Sequence, residues 1–142
     1  MNVQWIMVMI LLGICTIEDL ITKKIHLIWP VICFIGGIIF QITYIKMNIV
    51  DVLGGIFVGL VLVIISILSH QNIGLGDGLL LMACGIYLGF EKNLILFWMA
   101  TMMAGLLGIV LRFIFKKGKK YKMAFVPILS AASLILFMLT EV

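Results

Sequence analysis

Residues 52–69 read VLGGIFVGLVLVIISILS, a run without one charged side chain. Such a run rises about 27 Å as a helix, close to the thickness of a bilayer's hydrocarbon core, and uncharged stretches of this length are read as membrane spans. It has no polar face, so an amphipathic helix on a soluble core does not account for it. The rest of the chain repeats the pattern. Of the 142 residues, 65% are hydrophobic and only 11% charged, against about a quarter charged in soluble domains. Apolar stretches fall at about 1–18, 26–45, 52–69, 78–90, 94–115 and 123–140. They predict an all-α, polytopic integral membrane bundle of about six transmembrane helices, forming one membrane-embedded domain over 1–142. Met1 to Cys15 has no Lys or Arg ahead of its apolar run, and Ile14 is a poor residue before a lipid-modified cysteine. This segment is read as a retained first helix rather than a signal peptide.

The breaks are short and polar: Glu18, Asp19, Lys23 and Lys24; Lys46, Asn48 and Asp51; His70, Gln71, Asn72 and Asp77; Glu91 to Asn93; and Lys116 to Lys122. With six spans both termini lie on one side. The first, third and fifth loops then hold Lys23, Lys24, Arg112, Lys116, Lys117, Lys119, Lys120 and Lys122, eight of the ten basic residues, and the other side keeps Lys46 and Lys92. Basic loops stay cytoplasmic, so both termini are expected away from the cytoplasm of an inner-membrane protein, and the ends carrying Asp19 and Asp77 toward it. The net charge of +4 is accounted for by topology and contact with anionic membrane lipid, without nucleic acid.

Residues 78–90 rise only about 20 Å, against a core of about 30 Å. With Phe90 at the outer surface, Asp77 lies below the cytoplasmic face, where a carboxylate is costly and carries a function by default. Cys15, Cys33 and Cys84 sit in separate apolar segments without metal-ligand spacing and are read as packing residues. Gly55 with Gly59, and Gly85 with Gly89, recur at helical spacing and predict close helix contacts.

Only six acidic residues exist, and Asp19 and Asp77 lie at the cytoplasmic ends of different apolar segments, with Glu18 a third on that side. Two carboxylates sharing one proton can divide the work of hydrolysis, one activating water and the other polarising a carbonyl, and they titrate as a coupled unit. The sequence Gly74-Leu75-Gly76-Asp77-Gly78 sets three glycines within four positions of Asp77. They either let an extended substrate approach the carboxylate, through small size and unusual backbone angles, or pack a helix crossing through Gly74 and Gly78.

Gly74-Leu75-Gly76-Asp77, followed by Leu-rich sequence ending in Gly85-Ile86-Tyr87-Leu88-Gly89, resembles the Gly-x-Gly-Asp motif and following helix of the type IV prepilin peptidases. Asp19-Leu20-Ile21-Thr22-Lys23-Lys24-Ile25 is similar to that family's first aspartate motif, and Ala124-Phe125-Val126-Pro127 to the Phe-x-Pro stretch opening its last helix. Order, spacing and hydropathy agree over essentially the whole chain. The resemblance implies that Asp19 and Asp77 are the catalytic pair, with no metal or cofactor; beside them Gly74, Gly76, Gly78 and Glu18 are the residues expected to contact substrate. The implied substrate is a prepilin-like or pseudopilin-like precursor with a short basic leader and an apolar helix, cleaved at the cytoplasmic border for a type IV pilus or secretion apparatus. Glu18 either meets that leader or is a solvated helix-end charge.

Gly78 and Leu79 stand where many members carry Val-Lys, and His26, read as an interfacial histidine, stands where a proline is common. The chain opens at the first helix, without the cysteine-rich N-terminal region, so peptidase activity without methyltransferase activity is expected. The alternatives are a non-enzymatic scaffold or transporter subunit with Asp77 as an ion site, disfavoured by the few polar groups in the helix centres, and an intramembrane protease of helical substrates.

Overall fold

The structure, a computed structural model, describes residues 3–22, 26–45, 47–69, 74–116 and 124–141. The expected breaks at Lys23 and Lys24, at Lys46, at His70 to Asn72 and along Lys117 to Lys122 lie outside the described residues. The described chain is all-α: α1 (Val3–Thr22), α2 (Ile28–Phe40) running on into a π-helical turn (Gln41–Ile45), α3 (Ile49–Leu68), α4 (Leu75–Phe113) and α5 (Val126–Glu141). By length and composition α1, α3 and α4 are fit to cross a membrane, and α2 and α5 are shorter apolar helices. Large apolar side chains such as Ile21, Leu68 and Phe113 stand largely exposed, which only a lipid surround makes favourable. The protein is a membrane protein.

Three boundaries differ from the sequence expectation, each for a local reason. First, α1 does not stop at residue 18. No glycine or proline interrupts 14–22, and the helix carries both Glu18 and Asp19 to its end at Thr22. Second, α3 starts at Ile49 and takes Asp51 into its first turn, where the helix dipole favours a carboxylate. Third, Glu91 to Asn93 do not separate two helices. The break is at Gly89, whose φ of 77° and ψ of −175° lie in a region open to glycine and strained for other residues.

The break at Gly89 reverses the chain. Asn93 Nδ2 donates to the carbonyl of Leu81 at 3.1 Å, although the two are 12 residues apart. In an unbroken helix they would be separated by about 18 Å. The second arm of α4 (90–113) therefore folds back along the first (75–88), and with the arms counted apart the described residues form six helical segments. The same amide donates to Gly55 O at 2.9 Å, so the fully buried Asn93 ties both arms to α3.

Glycine sets the closeness of the packing. A Cβ on Gly55 would run into the carbonyl of Gly85, one on Gly59 into the backbone of Met82, and one on Gly78 into Val63, so α3 and α4 meet nearly backbone to backbone. Between lipid tails no hydrophobic drive joins helices, and such close approach supplies the attraction instead. Gly37 of α2 lies likewise against Ile86 and Tyr87, whose hydroxyl donates to Cys33 O at 3.0 Å. Helices α1 and α5 run antiparallel, joined at one end by Asp19 and Val126 and at the other by Trp5 and Phe137, whose ring centroids are 5.7 Å apart. The buried core gathers Trp5, Val8, Leu12, Leu80, Leu81, Leu96 and Leu129 with Cys15 and Cys84.

Replacing Gly55 or Gly85 with Val is expected to lower stability by about 1–3 kcal/mol, the usual cost of overpacking. By contrast, Gly105→Ala, at a position with nothing within 4 Å of the added Cβ, is expected to have almost no effect. Thermal unfolding in detergent, followed by a thiol-reactive dye on the core cysteines, checks both.

Candidate active site

The end of α1 and the starts of α2, α4 and α5 lie at one end of the bundle, and this end holds Glu18, Asp19 and Asp77. Asp19 is buried, with 6% of its surface exposed. Its Oδ2 accepts a hydrogen bond from the backbone N–H of Val126 at 3.2 Å. Val126 is the first residue of α5, where the N–H groups have no partner inside the helix, and Pro127 follows it, a residue with no N–H to satisfy. The Phe-x-Pro stretch thus has a structural task that its sequence did not disclose: it presents the donor that holds the first aspartate.

Asp77 occupies the third position of α4, with its N–H bonded to Gly74 O at 3.1 Å. Its side chain is half-buried, and its Oδ2 would lie 2.6 Å from a Cβ placed on Gly74. Gly74 has φ −61° and ψ 120°, angles open to any residue. Its lack of a side chain is what matters, because it leaves the carboxylate room, and the unusual backbone angles expected from sequence are not found there. Gly78 is buried against Val63 of α3, which is a packing role, and Gly76 lies partly exposed in the first turn of α4.

Lys92 Nζ, just past the turn at Gly89, lies 5.7 Å from the ring of Trp5 at the start of α1, so α1 ends, with Asp19, toward the end of the bundle where α4 begins and Asp77 lies. The positive ends of two helices converge on the pair, α5 on Asp19 and α4 on Asp77, which offsets part of the cost of gathering two carboxylates. Glu18 sits one residue before Asp19 with its Oε1 3.0 Å from His26 Nδ1 and 3.0 Å from Trp29 Nε1. Sequence reading missed both of these partners, since nothing in their spacing marks a contact across the turn between two helices. Among the described residues, no group of three or more His, Cys, Asp or Glu is placed to hold a metal ion.

The model of the type IV leader peptidase family matches residues 6–110, a stretch that includes both aspartates and the Gly-x-Gly-Asp segment. The chain belongs to the type IV leader peptidase family. Comparison with curated proteins and with solved structures found no match. As a type IV leader peptidase family member the protein is a peptidase of the membrane, and the chemistry to be located is hydrolysis of a peptide bond. Val126, which holds Asp19, lies beyond the matched residues.

The Asp19 contact separates the structural from the chemical demands on this residue. Asp19→Asn keeps an oxygen able to accept from Val126 and is expected to stay within about 1 kcal/mol of wild type, whereas Asp19→Leu orphans the buried N–H and is expected to cost about 1–3 kcal/mol. Thermal unfolding of the two purified variants gives the comparison.

Proposed function

We propose that this membrane peptidase is an aspartic endopeptidase that removes short basic leaders from prepilin-like or pseudopilin-like precursors, with Asp19 and Asp77 as its catalytic pair. The observation that carries the reading is the placement of one carboxylate from α1 and one from α4 at the same end of a bundle of apolar helices, Asp19 on the N–H of Val126 and Asp77 in the first turn of α4. Two such groups sharing a proton supply the base and the acid that amide hydrolysis needs.

The chemistry follows from what each oxygen can do. Val126 N–H can only donate, so the Oδ2 of Asp19 that faces it serves as acceptor. The shared proton then resides on Oδ1 of Asp19 or on Asp77. One carboxylate removes a proton from a water held between the two, and the water oxygen attacks the scissile carbonyl carbon. The protonated partner delivers its proton to the carbonyl oxygen. Collapse of the resulting gem-diol breaks the C–N bond, and the departing nitrogen takes up the proton that the base had gained. The lack of a side chain on Gly74 gives the Asp77 carboxylate the room it occupies.

In the proposed orientation the aspartate end faces the cytoplasm and both termini face away. Arg112 and Lys116 belong to this end, as the basic bias of cytoplasmic loops requires. The leader then stays in the cytoplasm while the precursor's apolar helix lies in the bilayer, with the cut at the border. The same reading places the enzyme in the service of a type IV pilus or secretion apparatus.

Asp19→Asn and Asp77→Asn are each expected to lower cleavage of a co-expressed basic-leader precursor by a factor on the order of a thousand, with normal insertion. Activity should fall on both the acid and the alkaline side of its optimum, because the pair works only with one proton between its members. Mobility shift with N-terminal sequencing reads the outcome; near-normal processing by either variant removes that residue from catalysis, and cuts inside an apolar segment reassign the substrate class. A single reporter cysteine placed at Lys119 should be labelled only from the cytoplasmic side.

A further inference from the structure

The carboxylate of Glu18 is held in an unusual way for a helix-end charge. Two donors from the start of α2, His26 Nδ1 and Trp29 Nε1, both converge on Oε1 at 3.0 Å. A carboxylate oxygen accepts, so the imidazole carries a hydrogen on Nδ1 at this contact. The other oxygen, Oε2, is buried and has no hydrogen-bond partner among the described residues. Only 25% of the Glu18 side chain is exposed, against 63% for His26. A solvated charge would turn its free oxygen to water; this one keeps it covered at a cost, which calls for a compensating role.

The position of the bridge suggests that role. Glu18 precedes Asp19 on α1. His26 lies just before α2 and Trp29 in its first turn, and α2 packs through Gly37 and Cys33 onto Ile86 and Tyr87 of the arm that carries Asp77 in its first turn. The helix of the first aspartate is thereby joined, through α2, to the helix of the second. We propose that Glu18 is a positioning residue, whose bridge to His26 and Trp29 sets the spacing of Asp19 and Asp77 by fixing α1 on α2. The inference rests on the proposed function, because it assigns Glu18 to the geometry of that same pair. It departs from the leader contact implied by family resemblance: the carboxylate acts here as an acceptor within the fold, and its charge does not read the substrate.

The two roles differ in what Gln can replace. The amide oxygen of Glu18→Gln still accepts from Trp29 and His26, whereas Glu18→Ala accepts nothing, and Trp29→Phe removes one donor from the other side. The test measures kcat and KM on a basic-leader precursor and on the same precursor with its leader lysines changed to Gln. In parallel, the protein is labelled with 5-fluorotryptophan and its Trp29 fluorine resonance is assigned by its loss in Trp29→Phe. Misplacement of catalytic groups by a fraction of an ångström is expected to cost about tenfold to a hundredfold in kcat. Glu18→Ala and Trp29→Phe should show this loss with little change in KM, and the double variant should be no worse than the poorer single one. Glu18→Gln should keep kcat within about threefold of wild type, and the Trp29 resonance should move in Glu18→Ala and stay in Glu18→Gln.

The inference is overturned if Glu18→Gln fails as badly as Glu18→Ala and raises KM only for the basic leader, since the charge then reads the substrate. It is also overturned if kcat stays at the wild-type level in Glu18→Ala, or if the losses in Glu18→Ala and Trp29→Phe simply add. A wild type that cleaves no precursor sinks the proposed function itself; the resonance then judges the bridge alone, and the positioning role falls with the reading.

Discussion

A single hydrogen bond, from the N–H of Val126 to Oδ2 of Asp19, carries more of this architecture than any other polar contact. Both partners are buried within the protein, so each depends on the other: an orphaned N–H at a helix start and a buried carboxylate without a donor are both costly. The bond spans 107 positions of sequence and closes the bundle by joining its first helix to its last. It also fixes the depth at which Asp19 sits, and hence the place at which any chemistry on this carboxylate can occur.

Among the described residues no side chain of another helix bonds Asp77, and packing places it instead. Asp77 lies in the first turn of an arm that is short because the chain turns back at Gly89, and that arm is drawn against α3 by glycines, Gly55 and Gly85 meeting backbone to backbone. Where lipid removes the hydrophobic drive between helices, steric fit decides depth and rotation. A change of one methyl group at Gly55 or Gly85 acts on the register of the arm, and through it on Asp77 more than ten ångströms away by the rise of a helix. Asn93 secures the turn by filling carbonyls on both neighbours, a polar solution to a reversal made inside an apolar core.

The environments of the two carboxylates differ in a way that suits a pair with divided labour. Asp19 is enclosed and has one oxygen committed to the backbone, while Asp77 is partly exposed and its carboxylate lies over Gly74. Helix α2 stands between their supports. It touches α1 through Glu18 and the Asp77 arm through Gly37 and Tyr87, so movement of either aspartate's helix is felt through a third element.

Hydropathy alone determined that this is a helical membrane protein, since apolar runs of bilayer length have no other stable solution. The Gly-x-Gly-Asp segment and the first aspartate motif likewise singled out Asp19 and Asp77, because so few acidic groups occur in so apolar a chain. Helix boundaries were less legible. Polar runs at Glu18 and at Glu91 to Asn93 read as breaks, yet both lie inside helices, because neither run holds a glycine or proline to interrupt the helical backbone. What only the tertiary structure decided was partnership: Val126 for Asp19, Gly85 for Gly55, His26 and Trp29 for Glu18. Spacing along a chain fixes which residues share a helix face, but the pairing of faces depends on how closely particular backbones can approach, and that is a property of the assembled bundle.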